Sequence, residues 1–157
     1  MITIRKAKKS DLVFYFELRN EPSVRKASFN SEPIDIASHT SWFLKKLKDP
    51  NTHLFVAQVA GKPAGQIRID IKGATGEASI ALLPEYRGKG YASPAIYKSC
   101  KRILTKIPNL HIVAYIKLGN IVSVKSFARA GFAEAGISNH GRQKCIKMTL
   151  YKSATEK

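Results

Sequence analysis

The residues best suited to chemistry lie in one stretch, Leu82-Leu83-Pro84-Glu85-Tyr86-Arg87-Gly88-Lys89-Gly90-Tyr91-Ala92. An alternating apolar segment runs into it and a helical pattern runs out, so it reads as a strand-to-helix turn. The first N–H groups of a helix lack intrahelical partners, and the helix dipole adds positive potential beside them. Such a turn is an anion site. Gly88 and Gly90 let the backbone approach a phosphate with no Cβ between, and Arg87 and Lys89 add formal charge. The residues describe a diphosphate cradle, although an ordinary turn with solvated charges would read the same way. Neither GxxxxGK[ST] nor GxGxxG occurs, which disfavours a nucleoside triphosphatase or a dinucleotide-binding domain.

Few other groups could move protons or act as nucleophiles. Glu77 lies on the strand that feeds the turn. The histidines are His39, His53, His111 and His140. Cys100 and Cys145 are far apart and form no CxxC pair, so they read as buried thiols in a reducing compartment. Core filling is the expectation for Cys100. No metal site is suggested.

Positioning these residues takes a single domain over 1–157, and 44% hydrophobic residues suffice for its core. Residues 2–7 alternate as a first strand. Ser10 caps a helix to about Asn20 with Leu12, Val13, Phe16 and Tyr15 toward its apolar side, and Pro22 ends or redirects it. Asp35 caps a second helix to about Lys48, with Ile36, Phe43 and Leu47 at helical spacing. Strands at 53–60, 64–71 and 77–83, separated by glycine turns, read as an antiparallel meander. A helix from the glycine turn to about Lys106 carries Pro94 in its first turn, where a missing N–H costs nothing. A strand at 110–116, a helix at 120–130 stopped by Gly131, and strands at 132–137 and 143–151 complete the chain. The order β-α-α-β-β-β-α-β-α-β-β is a mixed α/β (α+β) domain around one central sheet.

With that order in place, Arg87 to Ala92 resembles the [QR]-x-x-G-x-[GA] acetyl-CoA signature of the GNAT superfamily of N-acetyltransferases. The segment Asn120-Ile121-Val122-Ser123-Val124-Lys125-Ser126-Phe127-Ala128-Arg129-Ala130-Gly131-Phe132 is similar to that family's second element, N-x-x-[AS]-x-x-x-[YF]-x-x-x-G-F. The two fall in the family's order, with one helix and one strand between them. The resemblance implies the GNAT fold, with a sheet splayed between the strands at 77–83 and 110–116. It implies acetyl-CoA as cosubstrate, with Ile80 and Leu82 on the pantetheine arm and an N–H near Leu82 polarising the thioester carbonyl. It further implies Arg87, Gly88, Lys89, Gly90, Tyr91 and Ala92 on the diphosphate, and Asn120, Ser123 and Phe127 as further cofactor contacts. Many family members carry a proton-donating tyrosine where this chain has Phe127, which cannot donate. Ser123, Ser126 and Tyr115 are substitutes, or the thiolate leaves unprotonated, as a thiol pKa near ~8.5 permits. Glu77 is the candidate base by location, with a solvent-facing strand carboxylate as the competing reading. His39, in the helix that borders the acceptor site in this superfamily, is the second candidate.

The N-terminal third bears on the acceptor. Phe16-Glu17-Leu18-Arg19-Asn20-Glu21-Pro22, the run from His39 to Leu47, and Gly65-Gln66-Ile67-Arg68 resemble GNAT enzymes that acetylate amino-sugar nucleotides of pseudaminic-acid-type pathways. By that resemblance Arg19, Asn20, Arg25 and His39 face the acceptor. A helix C-terminus accounts for Arg19 and Asn20 equally well. Arginine forks suit the two phosphates of a nucleotide-linked sugar. The chain carries 27 Lys+Arg against 11 Asp+Glu, a net charge of +16, which attracts anions, or is simply a solvated lysine-rich surface. The alternatives are a peptide α-amine acetyltransferase of the ribosomal-protein type and a non-catalytic GNAT-like module binding RNA, although no aromatic RNP pair occurs. No apolar run approaches the ~20 residues that span a bilayer and no signal peptide is read, so the expectation is a cytoplasmic protein, with a homodimer implied by the resemblance.

Overall fold

A computed structural model describes residues 1–151 of the chain. Among the described residues seven strands form one sheet in the order β1-β2-β3-β4-β5-β7-β6: β1 (Ile2–Lys6), β2 (Thr52–Val59), β3 (Lys62–Lys72), β4 (Thr75–Leu82), β5 (His111–Lys117), β6 (Ala133–His140) and β7 (Gln143–Tyr151). The expected meander is present, since β1, β2, β3 and β4 pair antiparallel in turn. The β4–β5 pair is parallel, and a helix bridges it.

Period-2 alternation divides the sheet into two cores. One face carries Ile4, Phe55, Ile67, Ile69, Ala78, Ile112 and Met148, and packs against α4 (Ala92–Lys106) and α5 (Ile121–Arg129). The other carries Leu54 and Val56, which pack with Tyr15 of α1 (Leu12–Asn20) and Phe43 of α3 (Ile36–Lys48). The Tyr15 hydroxyl donates to the Phe55 carbonyl at 2.6 Å, tying α1 to β2 within the core.

Asp35 caps α3 as expected, its Oδ1 accepting from the Ser38 N–H at 2.8 Å. The start of α1 differs from expectation. Ser10 lies inside a short 3-10 turn, Lys9–Asp11, and does not cap the helix. Asp11 organises this corner because its carboxylate has two strong partners: both Arg5 guanidinium nitrogens at 2.8 Å and the Lys8 N–H at 2.7 Å. The apolar side of α1 is also rotated from the expected one. Tyr15 and Leu18 are buried, while Val13 is 57% exposed. Pro22 redirects the chain and also opens an extra helix, α2 (Pro22–Ala27), at the position where its missing N–H is harmless. Glu21 caps α2, accepting from the Val24 N–H at 3.0 Å. No helix among the described residues is long and apolar enough to cross a membrane.

Candidate active site

The sheet forks. Parallel pairing between β4 and β5 runs from Thr75↔His111 to Glu77↔Val113 and stops. Each strand keeps its outer partner beyond that point: β4 pairs with β3 as far as Leu82↔Gly65, and β5 pairs with β7 as far as Lys117↔Cys145. From Ala78 and Ala114 onward the two strands therefore diverge, and the facing N–H and carbonyl of Ile80 and the Leu82 N–H are open to pair with an extended chain, while the Leu82 carbonyl accepts from Arg87 Nε.

The glycine turn lies at the mouth of the fork. Gly88 and Gly90 have φ of 72° and 80°, and a Cβ built at either meets nothing within 4 Å. Among the described residues, the N–H groups of Gly88, Lys89, Gly90 and Tyr91 bond to no other backbone group. Tyr91 provides no side-chain cap to α4, so the orphan amides at the helix start remain available, with the dipole of a 15-residue helix behind them.

Arg87 does not point its charge freely into this cradle. Its Nε donates to the Leu82 carbonyl at 3.0 Å, Nη1 donates to Ser23 Oγ, and Nη2 lies 3.3 Å from Glu21 Oε2. The guanidinium thus staples the end of β4 to the start of α2. The formal charge left to the cradle is that of Lys89, which is exposed.

On the second motif, Asn120 caps α5, its Oδ1 accepting from the Ser123 N–H at 3.2 Å. Phe127 is 3% exposed and meets Phe132 edge-on at 5.0 Å. It braces α5 against the core, so the expectation that it touches a cofactor is not met. Sequence reasoning passed over Leu118 on the β5–α5 turn and Ile121 and Val122 in the first turn of α5, all exposed apolar side chains.

The N-terminal residues expected at the acceptor do something else first. Asn20 donates to the Ile34 carbonyl at 2.8 Å and accepts from its N–H at 2.9 Å, so both ends of its amide are used. Arg25 Nε donates to the Ser31 carbonyl at 3.1 Å and Arg19 Nη2 to the Asn30 carbonyl at 3.3 Å. Together they pin segment 28–35. Lys117 reaches the nearby Lys26 carbonyl at 3.0 Å, and Gln143 fixes the Phe29 carbonyl at 2.7 Å. Arg19 Nη1 is left buried without a hydrogen bond. Burial, then the neighbouring charges of Arg68 and Arg25, hold the Arg19 pKa below the usual guanidinium value.

His39 corrects a second expectation. It is 1% exposed, with Nε2 3.1 Å from the Leu12 carbonyl and its ring packed on Phe16 and Phe43. Burial first, and Arg19's charge after it, lower its pKa against the Leu12 contact. A neutral imidazole donating from Nε2 locks α3 to α1, with no surface open to an acceptor.

Glu77 lies where the fork begins, on the face opposite α4 and α5. His140 Nε2 is 3.8 Å from its Oε1. The other two histidines serve elsewhere: His111 meets Thr75 Oγ1 at 3.2 Å and stacks on Tyr151, and His53 leaves Nε2 buried without a partner. Cys100 and Cys145 are both buried, and burial pushes the Cys100 thiol up to about 12. Among the described residues no group of three or more His, Cys, Asp or Glu is placed to hold a metal ion.

A forked mixed sheet with an uncapped helix start at its mouth makes a groove suited to an extended ligand that carries an anionic group. The acetyltransferase (GNAT) domain model matches residues 1–133, and the chain belongs to that family. It is an acetyl-CoA-dependent N-acetyltransferase. The chain is 26% identical over 140 residues to the spermidine N(1)-acetyltransferase of Vibrio cholerae serotype O1, covering 86% of this chain and 80% of that one. The fold matches the crystal structure of spermidine N-acetyltransferase from Vibrio cholerae in complex with CoA and spermine, with a TM-score of 0.84 at 24% identity over 99% of this chain and 98% of that one. It also matches an aminoglycoside acetyltransferase in complex with coenzyme A and kanamycin, with a TM-score of 0.84 at 16% identity over 99% of this chain and 98% of that one.

Proposed function

We propose that this enzyme acetylates the amino group of a nucleotide-activated amino sugar. The observation that carries the reading is the convergence of Arg19, Arg25 and Arg68, of which Arg68 alone has a carboxylate partner, Asp70, and Arg19 Nη1 is buried without a hydrogen bond. Uncompensated guanidinium charge of this kind is relieved by a diphosphate. Spermidine and kanamycin, bound or acetylated by the relatives, are polycations. A chain of net charge +16 repels polycations on approach and draws anions in.

The residues fit a pantetheine diphosphate. The open edge of β4 around Ile80 and Leu82 would pair with the pantetheine amides, as one strand pairs with another. The free amides from Gly88 to Ala92, aided by Lys89, would hold the diphosphate. Asn120 and Ser123 would meet the cofactor where α5 begins. When bound, acetyl-CoA supplies an activated acyl group with a tolerable leaving thiolate. An N–H near Leu82 would stabilise negative charge on the acetyl oxygen. Alignment of the acceptor amine with the acetyl group at the root of the fork, beside Glu77, supplies much of the rate. Phe127 contributes no proton, so the sulfur takes one from elsewhere.

The test is thiol release from acetyl-CoA with a panel of nucleoside-diphosphate amino sugars, acidic peptides with a free α-amine, spermidine and kanamycin. The largest kcat/KM is expected for a nucleotide-linked sugar, declining with salt. Preference for spermidine at every ionic strength would refute the reading. Preference for the peptides would transfer it to α-amine acetylation.

A further inference from the structure

The face of the sheet opposite α4 and α5 carries a cluster at the root of the fork. His140 closes β6 at the hairpin into β7, C-terminal to the residues that the family model matches. Its ring stacks on Phe29, with centroids 4.2 Å apart and planes inclined by 14°, and its centroid lies 5.6 Å from that of Tyr115. Nε2 is 3.8 Å from Glu77 Oε1, and both side chains are 38% exposed, so a substrate can reach them. Glu77 pairs with Val113 in the last rung before the strands part, which places the pair beside the point where an acceptor nitrogen would meet an acyl group in the fork.

We propose that His140 accepts the proton of the attacking amine and that Glu77 is its positioning residue. The proposal rests on the acetyl-transfer reading above. Imidazole is the side chain whose ordinary titration range brackets neutrality, as a general base requires. Phe29 fixes the plane of the ring and is itself fixed by Gln143.

The surrounding charges assign the roles. Glu77 is the only carboxylate on β4, β5 and β7. Asp70, its cross-strand neighbour on β3, is occupied by Arg68 at 2.9 Å and Lys46 at 3.5 Å. On the same face Lys117 of β5 is bound to the Lys26 carbonyl, and Lys147 of β7 pairs in register with Tyr115. Cys145 of β7 is buried, and burial first and the Glu77 charge second raise its pKa, so it stays a thiol. On β6 itself Glu134 pairs in register with Met148, on the face that packs against α4 and α5, so an imidazolium formed at His140 has one carboxylate on its own face of β4, β5, β6 and β7, that of Glu77.

The step balances. The ammonium gives one proton to the imidazole, and the freed lone pair forms a C–N bond to the acetyl carbonyl carbon. The C–S bond breaks with its electron pair on sulfur, which takes the nitrogen's second proton. The imidazolium returns its proton to solvent, leaving amide, thiol and one released proton.

The experiment measures kcat/KM against pH in the thiol-release assay, using whichever amine of the panel above is turned over best. His140→Phe keeps a ring against Phe29 and removes the base. It is expected to lower kcat/KM about 100-fold at neutral pH, to abolish the acid limb, and to leave coenzyme A affinity by calorimetry unchanged. Added imidazole is expected to restore turnover to His140→Gly. Glu77→Gln is expected to keep the limb and to lower kcat more than it raises KM, because the ring loses the carboxylate that orients it. A His140→Phe enzyme with wild-type rate and limb overturns the proposal, as does loss of the limb in Glu77→Gln alone. If no amine is turned over, the function reading fails, and the nitrogen NMR signals of the His140 ring still decide the pair: the Nε2 signal moves in Glu77→Gln, and an unmoved signal overturns the contact.

Discussion

Gly90→Ala tests the backbone grip most directly. Gly90 has φ of +80° and a Cβ there would meet nothing within 4 Å, so the cost is strain and not collision. A left-handed alanine costs about 1–2 kcal/mol, and about 0.4–1 kcal/mol returns through the stiffer unfolded chain. The net loss is about 1 kcal/mol. Unfolding entropy of about 2.1 cal/mol/K per residue gives about 0.33 kcal/mol/K for 157 residues, so the melting temperature falls by about 3 °C and the variant stays folded. Relaxing the strain turns the Gly90 and Tyr91 amides away from their common target. Losing one charge-assisted amide–phosphate bond, about 1.5–3 kcal/mol, weakens coenzyme A binding about 10- to 100-fold. Thermal shift reads this directly. Coenzyme A at 100 times the wild-type Kd stabilises by about 2.7 kcal/mol, or about 8 °C here, and the same concentration gives about 4 °C or less in the variant. An undiminished shift would mean that these amides do not hold the diphosphate.

Tyr15→Phe removes the buried 2.6 Å hydrogen bond to the Phe55 carbonyl and is expected to cost about 1–2 kcal/mol, read as a lower urea midpoint at unchanged m-value. Arg5's hydrogen bonds, opposed by burial and joined by the Lys8 N–H, lower the Asp11 pKa in the folded protein. A depressed carboxylate stabilises the fold above its unfolded pKa of about 3.9 and loses that contribution as pH falls through the lower folded value. Urea midpoints at pH 3 and pH 6 should therefore differ less in Asp11→Asn than in wild type. Cys100 and Cys145 are buried with raised pKa values, so a disulfide-exchange reagent is expected to label neither in native protein and both in denaturant. Rapid native labelling of either would contradict the packing.

Much of the fold was legible because its elements announce themselves locally. The Ile67, Ile69, Ile71 alternation marks β3, and Asp35 marks the start of α3. What sequence could not show was the outcome of competition between neighbours. Ser10 is a good cap, yet Asp11 takes the corner because Arg5, on the adjacent strand, supplies two more bonds. Val13 and Tyr15 are both apolar enough for a core. Tyr15 is buried because β2 presents a carbonyl to its hydroxyl, a fact that lies 40 residues away.

The two halves of the site differ in legibility for a physical reason. A diphosphate cradle is made of consecutive backbone amides, so its signature is a short run of letters with glycine where φ must be positive, and residues 87–92 display it. The acceptor side is made of side chains brought together by register. His39 and His140 look alike in the sequence: one ends 1% exposed between two helices, the other 38% exposed at the fork. The difference follows from three rungs, Glu77↔Val113, Tyr115↔Lys147 and His140↔Gln143. Slipping the β6–β7 hairpin by one residue against β5 would send His140 to the opposite face of the sheet, away from Glu77. The proposed proton-handling pair is therefore encoded in the pairing of β4, β5, β7 and β6, and a substitution that shifts the β6–β7 hairpin should disable it while leaving the glycine turn at 87–92 intact.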